Sequence, residues 1–283
     1  MLPNTSARTT HHALSQFLSS FLPARAKDVP FHYHVPRSSN YEPSTAYTAH
    51  VVLSITPTPG VYGALNRYSL CFLHRPFGLD RRRIPQNAVV LSSHVGFDEV
   101  LTVGWNTALA ARLGMSIPDC DCVQGYKGDP ERRIGIVGPV AGVSLPVLVQ
   151  SIRQEFGGAG ELFEYAGADT GVRVVAIMNA FHPDEIERVL RVARERGWLP
   201  ESGHAGEVLY LTGQPRNYGL EAAKAAGINV VCVGHRAAEE WGIRYLAAKL
   251  RETFPTLKVE EIYEEEEVIE RPARRLDAAP IGS

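Results

Sequence analysis

The sequence has little cysteine, no surplus of either charge and no long hydrophobic run. Lys and Arg number 29, Asp and Glu 31, and the formal net charge is −2. A balance this close to neutral builds no global field for nucleic acid or for an anionic membrane surface. No apolar stretch approaches the roughly 18–20 residues that cross a bilayer. Four cysteines in 283 residues fit a reduced, intracellular compartment better than a disulfide scaffold. Cys71 and Cys232 sit in apolar, strand-like runs and read as small buried hydrophobes. Cys120 and Cys122 form a C-x-C in an expected loop and read as ordinary thiols. No P-loop and no G-x-G-x-x-G occurs, so the sequence carries no nucleotide-specific motif.

Acidic residues are also absent before Asp28. Arg8, Arg25 and Lys27 among Ser and Thr give that stretch the composition of a transit peptide. The same stretch contains "ALSQFLSSFL", with apolar residues at helical spacing, and we expect a first helix there. The expected compartment is cytoplasmic, with a mitochondrial alternative.

What the chain does have is a 45% apolar and 21% charged composition, that of a soluble globular protein with a substantial core. Residues 28–47, rich in Pro, Ser, Tyr and His, read as an irregular loop. Strands are expected at "HVVLSITPTP", which ends in a Pro turn, and at "SLCFLHRPF", "NAVVLSSH", "RRIGIVGPV", "GVRVVAIM", "EVLYLTG", "INVVCVG" and "LKVEEIY". Helices are expected at 98–114, at 144–158 with Ser144 as N-cap, at 182–197, at 219–227 and at 236–252. Strands and helices alternate, and several strands are apolar without strict alternation. The fold class is therefore α/β, with sheets buried on both faces. The expected organisation is an N-terminal α/β half (1–124), a middle α/β segment (125–205), a C-terminal α/β segment (206–263) and a disordered tail (264–283).

Two segments share a pattern. They are "VVLSSHVGFDEVLTVGWNTALAARL", residues 89–113, and "VVCVGHRAAEEWGIRYLAAKL", residues 230–250. Each runs strand, His, three residues, carboxylate, helix. The pairs are His94 with Asp98 and His235 with Glu239. Positions i and i+4 lie on one helical face. Imidazole and carboxylate suit zinc, manganese, iron or nickel. The plainer reading of one such pair is a helix start with a polar first turn. A third strand end, "CFLHRPF", offers His74.

These residues resemble the Nif-three-like family, the YbgI-type proteins described as GTP cyclohydrolase I type-two homologues. The matching segments are "LHRP", "HVGFDEVLTVGWNTALAARLG", "YLTGQ" and "GHRAAEEWG", and the resemblance covers about residues 10–263. It implies two α/β halves around a central metal-binding cleft. It implies His74, Asp98, His235 and Glu239 as ligands of one or two divalent ions, with His94 beside them. It also implies a homo-oligomer, a hexamer assembled from dimers. Two positions depart from the family pattern. Arg75 stands where a second histidine is expected, and Gln214 stands where a glutamate is expected. The site then holds one ion, or is retuned toward an anionic substrate, or is degenerate.

The function expected on these grounds is a metal-dependent hydrolase acting on a C–N bond of a small cyclic or amide substrate. His94 or Glu240 would move protons. The alternative is a non-catalytic metal carrier, or a regulator that binds a protein partner. No direct DNA binding and no membrane are expected. The short "DRRRIP" at 80–85 reads as a solvated loop.

Overall fold

Alternating burial decides the architecture. In His50–Ser54 every residue is buried, yet Val51 and Leu53 join one hydrophobic cluster and Val52 joins another. A strand apolar on both faces must be covered on both faces. The computed structural model describes residues 9–166, 171–199 and 204–265.

Strand β1 (Thr9–Thr10) leads into helix α1 (His11–Phe21), the expected N-terminal helix. Then come β2 (His32–His34), β3 (Tyr47–Thr48), β4 (His50–Ser54) and a short α2 (Pro59–Ala64). Strands β5 (Leu70–Leu73) and β6 (Val89–Ser92) precede α3 (Val95–Val100) and α4 (Thr107–Arg112). A hairpin of β7 (Asp121–Tyr126) and β8 (Asp129–Ser144) leads to α5 (Leu145–Glu155) and β9 (Glu161–Phe163). The rest is β10 (Gly171–Met178), α6 (Pro183–Glu195), β11 (Val208–Thr212), α7 (Asn217–Ala226) and β12 (Asn229–Cys232). Helix α8 (His235–Thr253) and β13 (Lys258–Ile262) close the described chain.

Apart from the short β1–β3 pair, the strands form two sheets. The first has the order β13-β4-β5-β6-β2, parallel except for antiparallel β2. The second has the order β7-β8-β10-β11-β12-β9, with β10, β11 and β12 parallel. The fold is α/β with two halves. Strands from 125–205 and from 206–263 share the second sheet, while β13 returns to the first.

Helix α8 joins the halves. Its Ala238 and Trp241 pack into the core of the second sheet with Leu209, Leu211 and Val231. Its Ile243, Leu246 and Leu250 pack into the core of the first with Val51, Phe72 and Leu91. Gly242 lies between those groups. A Cβ there would stand 2.5 Å from both the Leu101 carbonyl oxygen and Phe97 Cζ. Neither neighbour is a flexible chain end, so α8 reaches α3 only because this residue is glycine. Gly242→Ala is expected to destabilise the fold by about 1–3 kcal/mol, the cost of overpacking a dense core. Urea unfolding checks this, and a change below about 0.5 kcal/mol would contradict it.

Three expectations need correcting. The helix expected at 98–114 is two helices, α3 and α4, separated at 101–106. Thr102 Oγ1 donates to the Asp98 carbonyl at 2.6 Å, and Asn106 Nδ2 donates to the Thr102 carbonyl at 2.9 Å. Asn106 Oδ1 then accepts from the Leu109 amide and caps α4. Side chains that bind backbone groups in this way compete with helix continuation. The loop expected around the cysteines is in part β7, because its backbone pairs with β8. The loop expected at 28–47 holds β2 and β3, paired with β6 and β1. Ser144 does precede α5, but its side chain makes no cap hydrogen bond. The expected tail lies, after Glu265, outside the described residues.

Candidate metal centre

His74 follows β5 directly and is fully buried. Its Nδ1 lies 3.2 Å from the Ser93 carbonyl oxygen, to which it donates. That bond assigns the tautomer and leaves the Nε2 lone pair facing inward. The ring stacks on Phe97, with centroids 4.3 Å apart. Nε2 lies 3.3 Å from Asp98 Oδ1 and 3.2 Å from Glu239 Oε1. Both Nε2 and Oε1 are buried, and neither contact has the geometry of a well-directed hydrogen bond. The groups converge on a point between residues that could hold either a proton or a cation. Burial lowers the pKa of His74, but Asp98 and Glu239 outweigh it and lift the value to about 9. Burial raises that of Glu239, but His235 and His74 outweigh it and draw the value down to about 2. Without an ion, a proton held among these groups offsets the paired carboxylates.

His94 and Asp98 come from the corner after β6. His94 occupies the N-cap of α3 with αR dihedrals and no side-chain cap. The cap comes from elsewhere. Asp28 accepts from the amides of His94, Val95 and Gly96 at 2.8, 3.0 and 2.9 Å, and from Ser93 Oγ at 2.9 Å. Burial pushes the Asp28 carboxyl up, but the three amides and the hydroxyl hold it below its ordinary value. Asp98 Oδ2 lies 4.0 Å from His94 Nδ1 and 3.6 Å from Arg132 Nη2. Burial lowers the pKa of His94, so its ring is neutral near pH 7.

The other corner begins at Gly234, whose φ of 89° is the left-handed region that glycine enters freely. This residue turns the end of β12 into α8 and sets His235 as the first helical residue. His235 Nε2 is 3.2 Å from Glu239 Oε1, which raises the imidazole pKa. The five side chains therefore run His94, Asp98, His74, Glu239, His235, each within 4.0 Å of the next. Ligand atoms of His74, His94 and Asp98 lie within 4.8 Å of one another, a group that could hold a metal ion. That group takes in His94 but not Glu239 or His235, which adjoin it through His74. Glu240 points its carboxylate into ion pairs with Arg236 and Arg244 at 2.7 and 3.8 Å and does not line the adjoining cavity.

A second carboxylate in α3, unremarked in the sequence, supports the corner. Glu99 is fully buried. Its Oε2 accepts from Arg25 Nε at 2.7 Å, and its Oε1 accepts from the Arg133 amide at 3.2 Å. The guanidinium groups of Arg132 and Arg133 lie 3.8 and 3.6 Å from it. This cluster ties the N-terminal segment and β8 to the helix that carries Asp98.

A cavity of about 150 Å³ opens beside the cluster. Asp98, His235 and Glu239 line it together with Asn179, Thr212 and Arg216, which lie at or just beyond the carboxyl ends of β10 and β11, and Asn179 Nδ2 donates to the Asp98 carbonyl at 3.3 Å. Open α/β sheets form their ligand crevices at that edge. Among the described residues no helix is long and apolar enough to cross a membrane.

Residues 81–267 match the family described as Duf34/NIF3 (NGG1p interacting factor 3). The chain belongs to this family. Among proteins similar to this NIF3 member is a GTP cyclohydrolase 1 type 2 homolog from Archaeoglobus fulgidus, 25% identical over 181 residues. That match takes in 62% of this chain and 63% of the other, so the chain spans less than two thirds of the length of that curated relative. Reduced HcgD from Methanocaldococcus jannaschii has a TM-score of 0.60 at 15% identity, covering 91% of this chain and 99% of that one. The protein ybgI has a TM-score of 0.54 at 18% identity with the same coverage. A Bacillus cereus protein related to NIF3 has a TM-score of 0.54 at 12% identity, covering 93% and 99%. At these identities the solved structures speak for the fold.

Proposed function

We propose that this NIF3-family protein is a metal-dependent hydrolase acting on a C–N bond of a small cyclic or amide substrate. The observation that carries this reading is the convergence of buried His74 Nε2 and Glu239 Oε1, 3.2 Å apart without a well-directed hydrogen bond, beside a cavity. Such a convergence of buried donors and carboxylates is costly unless a proton or a cation is held within it. His74, Asp98, Glu239 and His235 would hold a divalent ion of the zinc, manganese, iron or nickel class, and two ions if the carboxylates bridge. When bound, such an ion supplies an activated water and polarises the bond to be cleaved. His94, half-buried and next to Asp98, would be the group that takes up and returns a proton. Asp28 keeps His94 in place through its amide, and Ser93 keeps His74 in the required tautomer. The name carried by the Archaeoglobus fulgidus relative, a cyclohydrolase homologue, agrees with C–N hydrolysis.

The test is metal content per chain, by elemental mass spectrometry on protein purified without added metal or a metal-binding tag. One or two ions are expected in the native chain, and fewer in Asp98→Ala and His235→Ala. No ion above background, before or after loading with zinc or manganese, would end this reading. His94→Gln separates the two roles open to that residue. Retained metal fits the proton carrier, and lost metal makes it a ligand.

A further inference from the structure

The metal reading leaves part of the cavity lining unused: Asn179, Thr212, Gln214 and Arg216, at and just past the ends of parallel β10 and β11. All four are polar and none is a carboxylate. Thr212 is buried, whereas Asn179, Gln214 and Arg216 are exposed toward solvent. Arg216 takes part in no ion pair among the described residues, in contrast to Arg25, Arg112, Arg132, Arg133, Arg196 and Arg236.

The charges of the cavity then decide what it accepts. Asp98 and Glu239 bring negative charge to the same cavity, where Arg132 lies 3.6 Å from Asp98 and a bound divalent ion would complete the balance. Arg216 lines that cavity as a guanidinium with no counter-charge among the described residues. A guanidinium presents a planar fork of N–H donors that matches an oxyanion. The Gln214 amide and the Thr212 hydroxyl are neutral and able to donate beside it.

We propose that Arg216, assisted by Gln214, binds an oxyanionic group of the substrate, a carboxylate or a phosphoryl group. Held there, the substrate directs its neutral, hydrolysable end toward His235 and Glu239. This inference rests on the hydrolase reading for its geometry, but its test is separate. Arg216 is a specificity residue, and no metal ligand depends on it.

The test is calorimetric titration of the zinc-loaded full chain with inorganic phosphate and with acetate. The same samples are assayed for zinc. The native chain is expected to bind at least one of the two anions, and the tighter of them identifies the kind of oxyanion. Arg216→Ala is expected to weaken that binding by about tenfold or more, as loss of a charge-assisted contact does. Zinc content should not change. Arg216→Lys should recover part of the affinity, since it restores charge without the fork. Equal affinity in the native chain and Arg216→Ala would overturn the proposal, as would a native chain that binds neither anion. If the native chain holds no zinc but still loses anion binding on Arg216→Ala, the metal reading fails and the anion subsite stands.

Discussion

Glu239→Ala is expected to lower metal affinity more than any other single change in this protein. Glu239 is the link between the two corners, with His74 Nε2 and His235 Nε2 both 3.2 Å from its Oε1. It is also 2% exposed, so its carboxylate faces the cluster and not bulk solvent. Loss of a supporting group around a metal costs about ten- to a hundredfold in affinity. Loss of this carboxylate should exceed about a hundredfold, because it removes a charge as well as a donor. Competition with a chromophoric chelator measures the affinity directly. Glu239→Gln keeps the volume and removes the charge, so it distinguishes electrostatics from packing. A Glu239→Ala variant with native affinity and stoichiometry would show that this residue is not a ligand.

The largest effect on stability is expected at Glu99. Replacing it with alanine leaves Arg25, Arg132 and Arg133 facing a position with no anion. Breaking a buried ion pair from one side typically costs about 3–5 kcal/mol, mostly because the opposite charge is stranded. All three arginines retain partial exposure, with side chains 22%, 19% and 28% accessible. They can turn toward water, so we expect the lower end, about 3 kcal/mol, in urea unfolding. Glu99→Gln should cost less, since the amide oxygen still accepts from the Arg133 amide. A loss below about 1 kcal/mol for Glu99→Ala would mean that the arginines do not depend on this carboxylate. Metal affinity should fall in parallel, because Asp98 is the preceding residue of the same short helix.

Much of the candidate site was legible in the sequence because its parts are local. A strand of four apolar residues, a histidine and a carboxylate one turn later are placed by covalent spacing alone. That reasoning located His94 with Asp98 and His235 with Glu239, and the resemblance added His74. It did not locate Asp28, whose carboxylate caps α3 from a segment that reads as featureless loop. A cap supplied from a distant stretch has no sequence period. Nor did it find Glu99, which as a lone acidic residue in a helix is indistinguishable from a solvated one. The break between α3 and α4 was also hidden, since apolar residues keep helical spacing across it. The hydrogen bonds of Thr102 and Asn106 decided it instead.

The sequence by itself determined the α/β class, both histidine corners and the chemistry of their donors, because hydrophobic period and i, i+4 spacing are properties of a short chain. Only the tertiary structure decided that the two corners meet. Helix α8 has to bury apolar residues against both sheets, and the bare backbone at Gly242 lets it approach Phe97 and Leu101. That approach carries Glu239 to His74, beside a cavity that Arg216 also lines. Contacts of this kind come from burying surface between segments far apart in the chain, and no local pattern encodes them.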